Sequence, residues 1–93
     1  MNVSVEIAFS FKREVDADDR RLDLPAGATV VDALQALVRR VPAIERRIFD
    51  ADGAIRRNIN ALINGGNVQF RDRFETVLRD GDRLTILPPV GGG

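Results

Sequence analysis

The sequence predicts an α+β domain in which one main helix packs on one face of a mixed sheet. Three observations carry this. Near the start, Val3, Val5, Ile7, Phe9 and Phe11 alternate with Ser4, Glu6, Ala8 and Ser10, the period of a strand with one buried face. Between residues 29 and 42 the apolar period lengthens to that of a helix. From Ile59 onward short alternating runs return, separated by Asn-Gly and Asp-Gly pairs. Residues 1–87 read as one folded domain, and residues 88–93 as an extended tail.

The elements follow in order. Residues 3–11 form the first strand. Residues 12–20 are charged, lack a periodic apolar set and read as a loop. Asp16, Asp18 and Asp19 hint at a calcium loop there, but Arg21 and Gly27 stand where Gly and Glu are needed. Leu22 and Leu24 make a second strand closed by Pro25-Ala26-Gly27, so residues 3–11 and 21–24 pair as a hairpin. Thr29 caps a helix, with Asp32 in a capping-box relation. Val30, Leu34, Leu37, Val38 and Val41 share one helical stripe, while Asp32, Gln35, Arg39 and Arg40 take the wet side. Pro42 ends this helix. Ile44, Ile48 and Phe49 suggest one further helical turn, stopped by Asp52-Gly53. Ile59, Ala61 and Ile63 mark a third strand. Asn64-Gly65-Gly66-Asn67 reads as a turn, and Val68 and Phe70 start the return strand. Phe74, Val77 and Leu78 are expected to cover part of the core. Asp80-Gly81-Asp82 is a tight turn, and Leu84 and Ile86 lie in the last strand.

Composition excludes several functions. The chain has no Cys and no His, so thiolate catalysis, His-based triads, histidine shuttles and zinc sites are all out of reach within it. With 14 basic and 14 acidic residues the net charge is zero, which argues against nucleic acid or an anionic membrane as the main ligand. The arginine pairs 20–21, 39–40, 46–47 and 56–57 each have acids or an apolar face nearby and read as solvated surface. Gly65-Gly66 is no phosphate loop, because no Lys-Ser/Thr follows. No apolar run approaches the ~20 residues of a membrane span, the start does not read as a secretory signal, and the reading is a cytoplasmic protein.

The end of the sequence is its most distinctive feature. Leu84 to Leu87 runs into Pro88-Pro89-Val90 and then Gly91-Gly92-Gly93. Glycine has no Cβ, so such a tail is thin and takes almost any backbone conformation. It suits threading into a narrow active site on another protein, with the Gly93 α-carboxyl as the candidate reaction centre. Pro88 and Pro89 stiffen its root. The six residues from Pro88 to Gly93 span about 20 Å when extended. A frayed terminus is the plain alternative.

The strand order around one helix, the Asp80-Gly81-Asp82 turn and the diproline–glycine tail together resemble the ubiquitin-like β-grasp sulfur carriers of the MoaD/ThiS family. The resemblance covers the whole chain. It is most specific over residues 59–93, in Ile59 to Asn64, Val68 to Phe70, Leu78 to Leu87 and the tail. The tail is similar to the molybdopterin-type and cysteine-synthesis-type carriers, and residues 43–57 suit the longer, archaeal-like branch. One departure is Gly91, where members commonly carry another small residue before the Gly-Gly pair.

The resemblance implies a protein cosubstrate rather than an enzyme. A ubiquitin-activating-like adenylyltransferase would use ATP to adenylate the Gly93 carboxylate, and the chain itself would bind no cofactor. A sulfur donor protein would then convert the adenylate to a thiocarboxylate. The sulfur would pass to an acceptor such as a molybdopterin synthase large subunit or a cysteine synthase. Val90, Gly91 and Gly92 would thread the partner's active site. Strand alternation turns Leu62 and Leu87 away from the core, so these two, with Pro88 and Pro89, are the expected docking surface. Three other readings stand beside this one: a modifier joined through Gly93 to lysines, an obligate small subunit whose tail sits in a larger enzyme, and a plain interaction domain with an idle tail.

Overall fold

The alternation at the N-terminus builds the first strand of the computed structural model, which describes residues 1–7, 21–57, 59–68 and 72–87. Strand β1 is Asn2–Ile7, with Val3 and Val5 each 1% exposed and Ser4 and Glu6 on the open side. Phe9 and Phe11 lie outside the described residues. Strand β2, Arg21–Asp23, pairs antiparallel with β1, placing Leu22 opposite Val3. The expected hairpin is therefore present. The Leu24 amide extends it by donating to the Met1 carbonyl at 2.8 Å.

Helix α1, Val30–Arg40, begins at a capping box. The Asp32 amide donates to Thr29 Oγ1 at 3.3 Å, and the Thr29 amide donates to Asp32 Oδ2 at 2.9 Å. Two otherwise orphaned donors of the first turn are satisfied in this way. Val30, Ala33, Leu34, Leu37 and Val38 form the buried stripe. Val41 follows α1 as its cap, and Pro42 opens a 3-10 turn, Pro42–Ile44, where its missing N–H costs nothing. The short helix α2, Glu45–Ile48, comes next. Ile44 and Ile48 are fully buried, and the chain turns at Asp50–Gly53, where the Gly53 amide donates to the Asp50 carbonyl at 3.0 Å.

Strand β3 is Asn60–Ile63 and strand β4 is Gly66–Asn67. Their junction corrects the sequence reading. Ile63 pairs directly with Gly66, so the loop is Asn64-Gly65 alone. Both residues take positive φ, 51° and 87°, the signature of a type I′ turn, which closes a hairpin after two residues. The return strand therefore starts two residues earlier than Val68. Val68 is buried but leaves the ladder, and Phe70 lies outside the described residues.

A second correction concerns Val77. It was expected in the core but is 51% exposed. Residues 76–78 run extended beside the start of α1, with a bridge between Val77 and Thr29 and bonds from Val30 N–H to the Thr76 carbonyl and from Leu78 N–H to the Ala28 carbonyl. Side chains in an extended segment alternate. Thr76 and Leu78 point in, so Val77 must point out. The buried Thr76 hydroxyl is fully used: it donates to the Arg73 carbonyl at 2.7 Å and accepts from the Asp72 amide at 3.1 Å. Those bonds close a 3-10 turn, Arg73–Glu75, in which Phe74 is half-buried against the core.

Strand β5, Arg83–Leu87, completes a five-stranded sheet of order β2-β1-β5-β3-β4. It lies parallel to β1 and antiparallel to β3, so Val5, Leu84 and Ile63 share one row and Ile7, Ile86 and Ala61 the next. Leu84, Ile86, Ala61 and Ile63 are buried in the core that α1 completes. The Asp80–Asp82 turn sets where β5 begins. Asp80 Oδ1 accepts from Asn2 N–H at 2.7 Å, and Asp82 Oδ1 accepts from Asn64 Nδ2 at 2.9 Å. Its acids are turn formers, as read from the sequence.

Thr29→Ala should lower the free energy of unfolding by about 1 kcal/mol through loss of the cap. Leu34→Ala should cost about 3 kcal/mol by opening a cavity under α1. Urea titration measures both as midpoint shifts at an unchanged slope.

Candidate functional site

The chemistry of the site starts where β5 ends. Leu87 is the last described residue, and it pairs with Asn60 at the start of β3. Pro88, Pro89, Val90, Gly91, Gly92 and Gly93 follow it in the sequence and lie outside the described residues. The root of the tail is thus placed on an interior strand of the sheet, at the end of β3 that Asn60 begins.

Two surfaces flank that root. The first is the sheet face away from α1. Leu62 pairs with Thr85, so Leu62 and Leu87 are diagonal neighbours on adjacent strands. Both are half-buried, while Ala61, Ile63, Leu84 and Ile86 turn inward. Strand alternation therefore places the two leucines as the sequence suggested. Asn60, Thr85 and Asn67 surround them, which makes the face mixed rather than broadly apolar. At its far side Arg83 meets Glu6 at 3.8 Å with both side chains more than half exposed, an ion pair of little energetic weight.

The second surface is a groove of about 600 Å³ between residues 55–57 and 59–60 on one side and the 73–74 turn on the other. Ile59 and Val68, both buried, form its floor, with Ile55 and Phe74 beside them. Arg56, Arg57 and Arg73 stand at its exposed rim, and Asn60 joins it to the tail root. Arg56 is held in place by a 2.6 Å bond from its Nε to the Arg46 carbonyl. The sequence reading put Arg56-Arg57 among solvated surface pairs and said nothing of Arg73. The run Arg56-Arg57 immediately before the third strand was the available signal. What it needed was the knowledge that this strand begins beside the end of the last.

Among the described residues the buried polar side chain is Thr76, committed to the 3-10 turn. No group of three His, Cys, Asp or Glu among the described residues is placed to hold a metal ion.

A five-stranded mixed sheet crossed by one principal helix, with β5 lying between β1 and β3, is the architecture of a ubiquitin-like β-grasp protein. The chain belongs to the ThiS family, which matches residues 8–93. Small archaeal modifier protein 1 of Haloferax volcanii is 42% identical over 73 residues, covering 78% of this chain and 79% of that protein. Its crystal structure superposes with a TM-score of 0.84 at 34% identity, covering all of both chains. The sulfur carrier protein CysO of Mycobacterium tuberculosis is 33% identical over 70 residues, covering 73% of this chain and 75% of that one. A chain in the crystal structure of the Amycolatopsis orientalis BexX/CysO complex matches with a TM-score of 0.72 at 30% identity, covering 98% of this chain and 99% of that one.

Leu62→Asp should leave the fold intact, because its side chain already borders solvent. The expected result is a circular-dichroism spectrum and a urea slope equal to the parent's, with a stability loss of no more than about 1 kcal/mol.

Proposed function

We propose that this chain is a sulfur carrier whose Gly93 carboxylate is adenylated and then converted to a thiocarboxylate. One observation carries the reading: in a ThiS-family chain, the strand locked between β1 and β3 leads directly into Pro-Pro-Val-Gly-Gly-Gly. An α-carboxylate is ionised at neutral pH and is a poor electrophile. In the proposed sequence its oxygen attacks the α-phosphorus of ATP and releases pyrophosphate. Hydrosulfide delivered by the donor then attacks the acyl carbon, and AMP leaves as the C–S bond forms, which yields the thiocarboxylate directly. The chain has no Cys and no His, so the adenylyltransferase and a sulfur donor protein supply the reactive groups. The chain acts as cosubstrate, and ATP is the activating enzyme's.

Threading glycines costs more backbone entropy than threading other residues. The diproline limits that loss to the last few positions, and docking of the body offsets the rest. Leu62 and Leu87, with Pro88 and Pro89, are the proposed apolar contact. For the acceptor, the tail sequence favours a molybdopterin synthase large subunit as the first partner to test, followed by a cysteine synthase. The proposal has a parallel in the Mycobacterium tuberculosis relative, named sulfur carrier protein CysO, and a chain of the BexX/CysO complex shares the fold.

A second reading rests on the 42% identity to a named modifier: conjugation of Gly93 to lysines of other proteins. Both readings begin with the same adenylation.

Intact-mass spectrometry of the protein purified from its host separates them. The carrier reading expects a species heavier by the replacement of one oxygen with sulfur, mapping to Gly93. A ladder of conjugates with no such species would favour the modifier. Leu87→Asp should keep the parent's thermal midpoint to within a few degrees and weaken binding to the activating enzyme by about tenfold. Unchanged affinity in a calorimetric titration would count against the leucine contact.

A further inference from the structure

We propose that the groove rimmed by Arg56, Arg57 and Arg73 receives an acidic segment of the adenylyltransferase that activates Gly93. This rests on the activation reading above and adds to it a second, charged contact on the other side of the tail root. Four observations point to it.

The first is position. Asn60 lines the groove and is the cross-strand partner of Leu87. The six residues after Leu87 reach about 20 Å at most. A protein that holds the Gly93 carboxylate therefore lies within that distance of Leu87, and the groove begins at the residue paired with it.

The second is charge. The described residues lining the groove include three arginines and no carboxylate, in a chain of zero net charge. The Arg57 and Arg73 side chains make no hydrogen bond or ion pair among the described residues. A guanidinium presents a planar fork of donors that fits a carboxylate bidentately. Two such forks above an apolar floor match a peptide segment with acids on either side of an apolar residue.

The third is conformation. Arg73 has φ of 54°, in the left-handed region where glycine is favoured over any residue with a Cβ. Two bonds from Thr76, from its hydroxyl at 2.7 Å and its amide at 3.2 Å, hold the Arg73 carbonyl in that geometry. The backbone would be served better by glycine. An arginine there is accounted for by what its side chain does in the groove.

The fourth is shape. The groove holds about 600 Å³, with Ile59 and Val68 sealed at its base and the half-buried Ile55 and Phe74 as its accessible apolar wall. That leaves room for an apolar side chain beneath the arginine rim.

The test is ATP–pyrophosphate exchange by the host's adenylyltransferase, titrated with the full chain. Arg57→Glu should raise KM for the chain by about tenfold or more and leave kcat unchanged. The salt dependence of its KM should be shallower than the parent's. Arg57→Lys should recover most of the loss. Arg73→Gly should raise KM severalfold while its thermal midpoint stays at or above the parent's, a pairing that a purely structural arginine would not give. Arg39→Glu, on the exposed side of α1, should leave KM within about twofold. KM values for Arg57→Glu and Arg73→Gly within twofold of the parent's would overturn the groove's role and leave activation standing. The same rise for Arg39→Glu as for Arg57→Glu would overturn it too, by reducing it to overall charge. No exchange with the parent chain would remove the activation reading, and the groove's role with it.

Discussion

The structure depends on the pairing of its last strand with its first. β5 is inserted between β1 and β3, parallel to one and antiparallel to the other. An interior strand has its backbone donors and acceptors consumed on both edges, and a one-residue slip would turn Leu84 and Ile86 out of the core. Both are fully buried. The register is fixed again at the start of β5, where Arg83 N–H donates to Asn64 Oδ1 at 2.9 Å and Asn64 N–H to the Arg83 carbonyl at 2.9 Å. The point at which the chain leaves the sheet after Leu87 is therefore set by the most constrained part of the molecule.

Much of this architecture was legible because its causes are local. The β1 alternation, the Thr29–Asp32 cap, the α1 stripe and the Asp80-Gly81-Asp82 turn each declare themselves in a few residues. Two features were misread for definable reasons. Asn64 and Gly65 form a complete turn by themselves, since both accept positive φ, and a four-residue reading of the same Gly-rich stretch displaced the return strand. Val77 was assigned to the core on hydrophobicity alone. Its direction is decided by the extended backbone that Thr76 and Leu78 adopt against α1, a long-range effect.

The site divided in the same way. Strand alternation was enough to turn Leu62 and Leu87 outward, and their diagonal placement followed once β3 and β5 proved adjacent. The arginine groove was not legible, because Arg56, Arg57 and Arg73 become neighbours only when the chain returns through the 73–75 turn. Its charge is invisible in a net total of zero. The proposed site residues Pro88 to Gly93 were read from the sequence and remain a proposal on that footing. Together the two-leucine face and the arginine groove bracket Leu87.

The central claim is that bonds are made and broken at the Gly93 carboxylate, with the folded body holding it out. Deleting that one residue tests it most directly, since the body lies upstream and should be untouched. In a host lacking the native gene, a chain ending at Gly92 is predicted to accumulate with the parent's thermal midpoint and to restore no growth or sulfur transfer. Full rescue by that shortened chain would contradict the account.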